Sequence, residues 1–140
     1  MENHKMIKVQ NLINAPIEKV WELWTLPEHI KNWNIPFANW HTPFAENDLK
    51  VNGKFKFTMA SKDGKEGFDF EGIYTKVEKF SLIEYQLLDN RIANVRFENL
   101  GSETKLTETF EPEATISEEM QEQFCQSVVL KFKEYVENFE

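Results

Sequence analysis

The sequence predicts an α+β fold in which one long C-terminal helix lies across a single curved antiparallel sheet. Two periodicities and one length comparison predict it. Ile116, Met120, Phe124, Val128, Phe132, Val136 and Phe139 recur at spacings of four and three, forming one apolar stripe along a helix from Ile116 to Glu140. From about Leu49 to Glu111 the period is two, as in half-buried strands. At 1.5 Å per residue such a helix is roughly 36 Å long, and strands of about eight to ten residues span roughly 30 Å, so helix and sheet match in length. Where a curved sheet bends away from a straight helix a hollow is left, and function is expected there.

Met6 to Ile13 reads as an opening strand, with Ile7, Val9 and Leu12 as its apolar members and Asn14-Ala15-Pro16 as its stop. Two short helices follow. Pro16 is tolerated in a first helical turn, and Ile17, Val20, Trp21 and Trp24 continue at helical spacing to Leu26-Pro27. Glu28 to Trp33 forms the second. Asn34 to Asn47 shows no clean period and carries Pro36, Phe37, Trp40, His41, Pro43 and Phe44, so an irregular loop is expected. Phe55, Phe57 and Met59 then alternate with polar residues, and Lys62-Asp63-Gly64 turns into a partner strand with Phe68, Phe70, Gly72 and Tyr74. The next inward residue is Val77, a slip of one position that predicts a bulge. Ile83, Tyr85 and Leu87, then Ala93, Val95 and Phe97, then Leu106, Glu108 and Phe110 give three more strands before Pro112 ends the sheet. Thr115 and Glu118 fit a capping box for the final helix.

Bulk properties remove several function classes. A chain of 140 residues forms one domain, residues 1–140, large enough to bury its own core. Its net charge of -8 repels phosphate backbones, so nucleic acid is not an expected partner. No apolar run exceeds three residues, which argues against membrane insertion. Cys125 is the single cysteine, and the N-terminus lacks an apolar secretory core, so a cytoplasmic location is expected. His4, His29 and His41 fall on different elements without a second ligand at metal spacing, and the glycines stand singly, so no metal, cofactor or nucleotide loop is expected. Cys125, beside the apolar stripe and without an adjacent base, reads as an inert core thiol.

Glu108 breaks the pattern. It stands between inward-facing Leu106 and Phe110, so its carboxylate is aimed at the hollow. A bare buried carboxylate is costly, which leaves three readings: a solvated residue on a misread strand, a structural pair with Arg91 on the preceding strand, or a ligand-facing group. Trp40 and His41 are placed to line the mouth of the hollow, or else to serve as core and solvated loop. Trp21, Trp24 and Trp33 read as core packing. Tyr74 and Tyr85 offer hydroxyls from an otherwise apolar face. Phe57, Met59, Phe70, Val95, Phe124 and Val128 complete the expected lining.

This order of elements resembles the helix-grip fold of birch-pollen-allergen-like, lipid-transfer and polyketide-cyclase-like (START-like, SRPBCC) proteins. The stretches Ala15-Pro16-Ile17-Glu18-Lys19-Val20-Trp21, Gly67 to Glu78 and Thr104 to Phe110, with Trp33, Asn47-Asp48-Leu49 and Gly53, resemble bacterial proteins grouped with the activator of heat-shock-protein-90 ATPase. One departure is specific: Phe124-Cys125 stands where that family commonly has Gly-Trp. Three functions follow. The favoured one is binding of a small hydrophobic or amphipathic molecule in the hollow. A cyclase, dehydratase or hydrolase would use Glu108 as acid or base with His41 or Tyr85 assisting. A chaperone cofactor or stress-response domain is implied by the resemblance alone.

Overall fold

The computed structural model describes residues 6–35 and 38–139; His4, Pro36 and Phe37 lie outside the described residues. The chain runs β1 (Ile7–Ile13), α1 (Ile17–Thr25), α2 (Pro27–Trp33), β2 (Trp40–Asn47), β3 (Lys54–Ser61), β4 (Gly67–Glu78), β5 (Leu82–Leu87), β6 (Ile92–Asn99), β7 (Thr104–Phe110) and α3 (Glu118–Asn138). Seven strands form one antiparallel sheet in the order β1-β7-β6-β5-β4-β3-β2, with the first strand closing beside the last. This is the helix-grip arrangement.

The alternation in the sequence sets the faces. Val9 is opposite Glu108, which is opposite Val95, which is opposite Ile83, so these four form one row across the inner face. The adjoining row is Ile7, Phe110, Ala93 and Tyr85. Gly72 sits on the inner face of β4, where an added Cβ would lie 2.6 Å from the Gln86 carbonyl and 2.8 Å from the Phe55 ring. Only glycine lets Phe55 lie flat against the sheet there. The register slips between Tyr74 and Lys76, at the expected bulge, which lets the long β4 bend.

Four local expectations are corrected. The segment expected to be an irregular loop contains β2, an edge strand paired with β3 whose register shifts between His41 and Phe44, across Pro43. On β1 the inward residue is Ile13, fully buried, and Leu12 is exposed, because odd positions face inward. The cap of α3 is Ser117, which accepts a hydrogen bond from the Met120 amide at 3.1 Å; Thr115 instead bonds Glu113. The stripe on α3 is buried only in its C-terminal part.

Val128, Val129, Phe132 and Val136 join the core with Trp21, Trp33, Phe55, Phe97 and Leu106, whereas Ile116, Met120 and Phe139 are exposed. Phe57, Phe110 and Phe124 are partly buried against that core, and Met59 is buried outside it. Phe132 packs edge-on against both Trp24 and Trp33, each ring centroid 4.8 Å away, and those two indoles stack at 4.6 Å. The three helix tryptophans are thus core residues.

Candidate functional site

The helix α3 lies nearest to β1, α1 and α2. The inner face of β3, β4 and β5 is aromatic. Phe55 is the hub, with ring centroids 5.3 Å from Phe57, 5.5 Å from Phe70, 5.1 Å from Tyr74 and 5.1 Å from Tyr85. Phe57 and Phe70 point inward yet remain half-buried. At the outer end, Trp40 approaches Phe68 at 5.9 Å and Phe68 approaches Phe124 of α3 at 6.4 Å, so β2, β4 and α3 meet there as a rim.

Glu108 lies on the inner face, as the strand parity requires. Its acid is enclosed deeply enough for burial to raise its pKa from 4.5 to about 7, with the hydrogen bond from the Cys125 thiol pulling the other way. It nevertheless keeps some accessible surface. Burial, and then the Glu108 charge, push the Cys125 thiol up, so this buried free thiol is a hydrogen-bond donor and no nucleophile.

Arg91 is not the partner of Glu108. It precedes β6, and its Nε donates to Asp89 at 2.7 Å, two residues away in the same turn. Glu108 therefore has no cationic partner among the described residues.

Tyr85 and Tyr74 play different parts. Burial pushes both hydroxyls above the usual phenol range, at Tyr85 reinforced by the charge of Glu108 and opposed by Arg91. Tyr74 donates to Asn47 Oδ1, and Asn47 donates in turn to the Thr25 carbonyl at 2.7 Å, so its hydroxyl is used in tying β4 to the end of α1. The Tyr85 hydroxyl makes no hydrogen bond to any described residue, and it is not sealed from solvent. The small residue Ala93 lies opposite Tyr85.

The structure thus places Glu108, Tyr85, Phe57 and Phe70 on one inner face, with Phe124 and Trp40 at the rim. It does not bring in His41, which is exposed on the edge strand, or Arg91. Val95 and Val128 are buried and serve packing, Val95 directly beside Glu108. Sequence reasoning overlooked Cys125 as a partner of Glu108 and passed over Asn11, an inward residue on β1 whose Nδ2 is buried without a partner among the described residues. An inward Asn in an otherwise apolar alternation was the available signal. Two surface depressions lie elsewhere, about 590 Å³ along the outer face of α3 and about 450 Å³ on the outer face of the sheet around Lys8, Arg96 and Lys105. Among the described residues no three His, Cys, Asp or Glu side chains converge as for a metal, and no helix is long and apolar enough to cross a membrane.

Known structures share this architecture. An AHSA1-like protein of Aeromonas hydrophila superposes with a TM-score of 0.90 at 36% identity, covering 95% of this chain and 92% of that one. A protein of Cytophaga hutchinsonii gives 0.82 at 43% identity, covering 94% and 92%. A protein of Nitrosomonas europaea, at 18% identity, covers 100% and 99% with a TM-score of 0.85 and speaks to the fold alone. No functionally curated protein matches the sequence. The family model described as Activator of Hsp90 ATPase homolog 1-like protein matches residues 14–137, nearly the whole domain, and the chain belongs to that family.

Proposed function

We propose that the protein binds a small amphipathic molecule between α3 and the inner face of β3, β4 and β5, with the apolar body on Phe57 and Phe70 and a polar group at Glu108 and Tyr85. One observation carries this reading: an inward-facing acid without a cationic partner among the described residues shares its face of the sheet with aromatic rings that stay partly exposed at Phe57 and Phe70. Stability alone supplies no reason for either feature. An apolar residue at position 108 would spare the burial of an acid, and fuller packing would cover the rings. Cytoplasmic residence belongs to the same proposal, on the single cysteine being a buried free thiol.

The test is NMR titration with naphthylethanol, a neutral amphipath. Shifts are expected at Phe57, Phe70, Tyr85, Glu108 and Phe124; saturable shifts confined to the outer face of the sheet, or none, would overturn the reading. A chaperone-cofactor role is a second reading, supported by the family description alone. Capture of purified Hsp90-type chaperone by the immobilised protein would favour it.

A further inference from the structure

The outer face of the sheet carries a depression of about 450 Å³ over β1, β7 and β6. Strand register puts Thr107 at its centre. Thr107 is directly opposite Gln10 of β1 and Arg96 of β6. Lys105 and Thr109 stand two residues away on its own strand and share its face, and Lys8 is one diagonal step away on β1, opposite Thr109. Opposed neighbours on a sheet face are about 5 Å apart and diagonal ones about 7 to 8 Å, so the long side chains of Lys8, Arg96 and Lys105 can converge over the Thr107 hydroxyl from three sides.

The charges there are unspent. Lys50, Lys56, Lys76, Arg91 and Lys133 each hold an acid, whereas Lys8, Arg96 and Lys105 make no ion pair or side-chain hydrogen bond among the described residues. Glu98, the acid that lines the depression, is opposite Lys105 without reaching ion-pair distance of it. On a chain with 24 acidic and 16 basic residues, grouping three unpaired cations around one hydroxyl does nothing for stability. The floor is made of donors as well. Gln10 Nε2 donates to Thr107 Oγ1 at 3.4 Å, which leaves the threonine's own proton to donate. The half-buried Thr109 hydroxyl and Asn94 amide have no side-chain hydrogen bond among the described residues.

We infer that this depression binds a phosphoryl group, its oxygens accepting from the Thr107 and Thr109 hydroxyls and the Arg96 guanidinium, with Lys8 and Lys105 as flanking charges. A carboxylate brings one charge and two oxygens in a plane; a phosphoryl dianion brings about two charges and three oxygens, which suits donors set around a point. A nucleic-acid backbone needs such contacts repeated along its length, against the field of a chain of net charge -8, so the ligand is free phosphate or a small phosphate ester. The site is independent of the hollow, because Thr107 and Thr109 flank Glu108 on β7 and face the opposite side of the sheet.

NMR titration of the full chain with inorganic phosphate, phenyl phosphate and acetate, at matched ionic strength, tests it. Both phosphates should give saturable shifts at Lys8, Arg96, Thr107 and Thr109, and acetate none; tighter binding of phenyl phosphate assigns an ester, equal binding the free anion. Arg96→Gln and Thr107→Val, both on the outer face, should each weaken phosphate binding by about tenfold, the scale of one hydrogen bond to a charged group. Lys31→Gln removes the same charge from an exposed position on α2 and should leave affinity within about twofold. Acetate shifting the same amides as strongly, a loss in Lys31→Gln equal to that in Arg96→Gln, or shifts that never saturate would reveal a diffuse charge effect and overturn the inference.

Discussion

Replacing Glu108 by Gln should stabilise the protein, and only at a pH where the acid is ionised. The folded-state pKa is raised from 4.5 to about 7 by burial, so the unfolded chain releases this proton more readily than the native one. The sign follows from linkage: the native state keeps its full stability below about pH 4.5 and loses part of it as the pH climbs through 7. Carrying the group across that interval is worth roughly 3 kcal/mol once Glu108 is ionised. For a domain of this size that corresponds to roughly 10 °C in Tm. Gln keeps the acceptor for the Cys125 thiol and removes the ionisation, so the variant's Tm should coincide with wild type near pH 4.5 and exceed it by several degrees at pH 8.5. Melts followed by circular dichroism across that range, in buffers of matched ionic strength, measure the gap directly. Parallel curves would refute the reasoning, because they would mean that Glu108 titrates as a solvated acid. A Gln variant less stable at every pH would instead point to a cation bound to the acid in the native state.

Other perturbations have definite outcomes. Phe132→Ala empties a fully buried site against Trp24 and Trp33 and should cost about 3 to 5 kcal/mol in denaturant unfolding. Gly72→Ala places a methyl against the Phe55 ring and the Gln86 carbonyl, and should cost about 1 to 3 kcal/mol while displacing Phe55 resonances. Ser117→Ala removes the cap of α3 and should cost about 1 kcal/mol, with faster amide exchange at Met120. Purified protein should neither hydrolyse ATP with magnesium nor bind duplex DNA at micromolar concentration in physiological salt, given its charge of -8 and its isolated glycines.

Much of the fold was legible because alternation and helical spacing are local signals. Parity alone placed Glu108, Tyr85 and Phe70 on one face, and the slip between Tyr74 and Val77 revealed the bulge. The edge strand β2 escaped because Pro43 and the shifted register hide its alternation, and pairing on one side only demands less of its sequence. Arg91 was mispaired for a physical reason. Strand parity ranks partners across the sheet, whereas Asp89 reaches the guanidinium within one turn at a fraction of the ordering cost. The contact between Glu108 and Cys125 joins two elements that only packing brings together, so no spacing in the sequence announces it. The exposure of Met120 was hidden too, since a stripe reports which side of a helix is apolar and not where the helix lifts from its sheet.

The turn of α3 that carries Cys125 sets part of the surroundings of Glu108. By the resemblance drawn from the sequence, Gly-Trp would occupy the helix turn that here carries Phe124 and Cys125. An indole at position 125 would be far bulkier than the thiol and would offer a fixed N–H donor directed by ring geometry. Cysteine is small and supplies a weak donor. Phenylalanine at position 124 moves the bulk outward, where its ring meets Phe68 at the rim. Relative to that pattern, bulk is smaller at position 125, whose thiol bears on the acid, and larger at position 124, at the rim, so the surroundings of the Glu108 carboxyl differ from the pattern while the fold is shared.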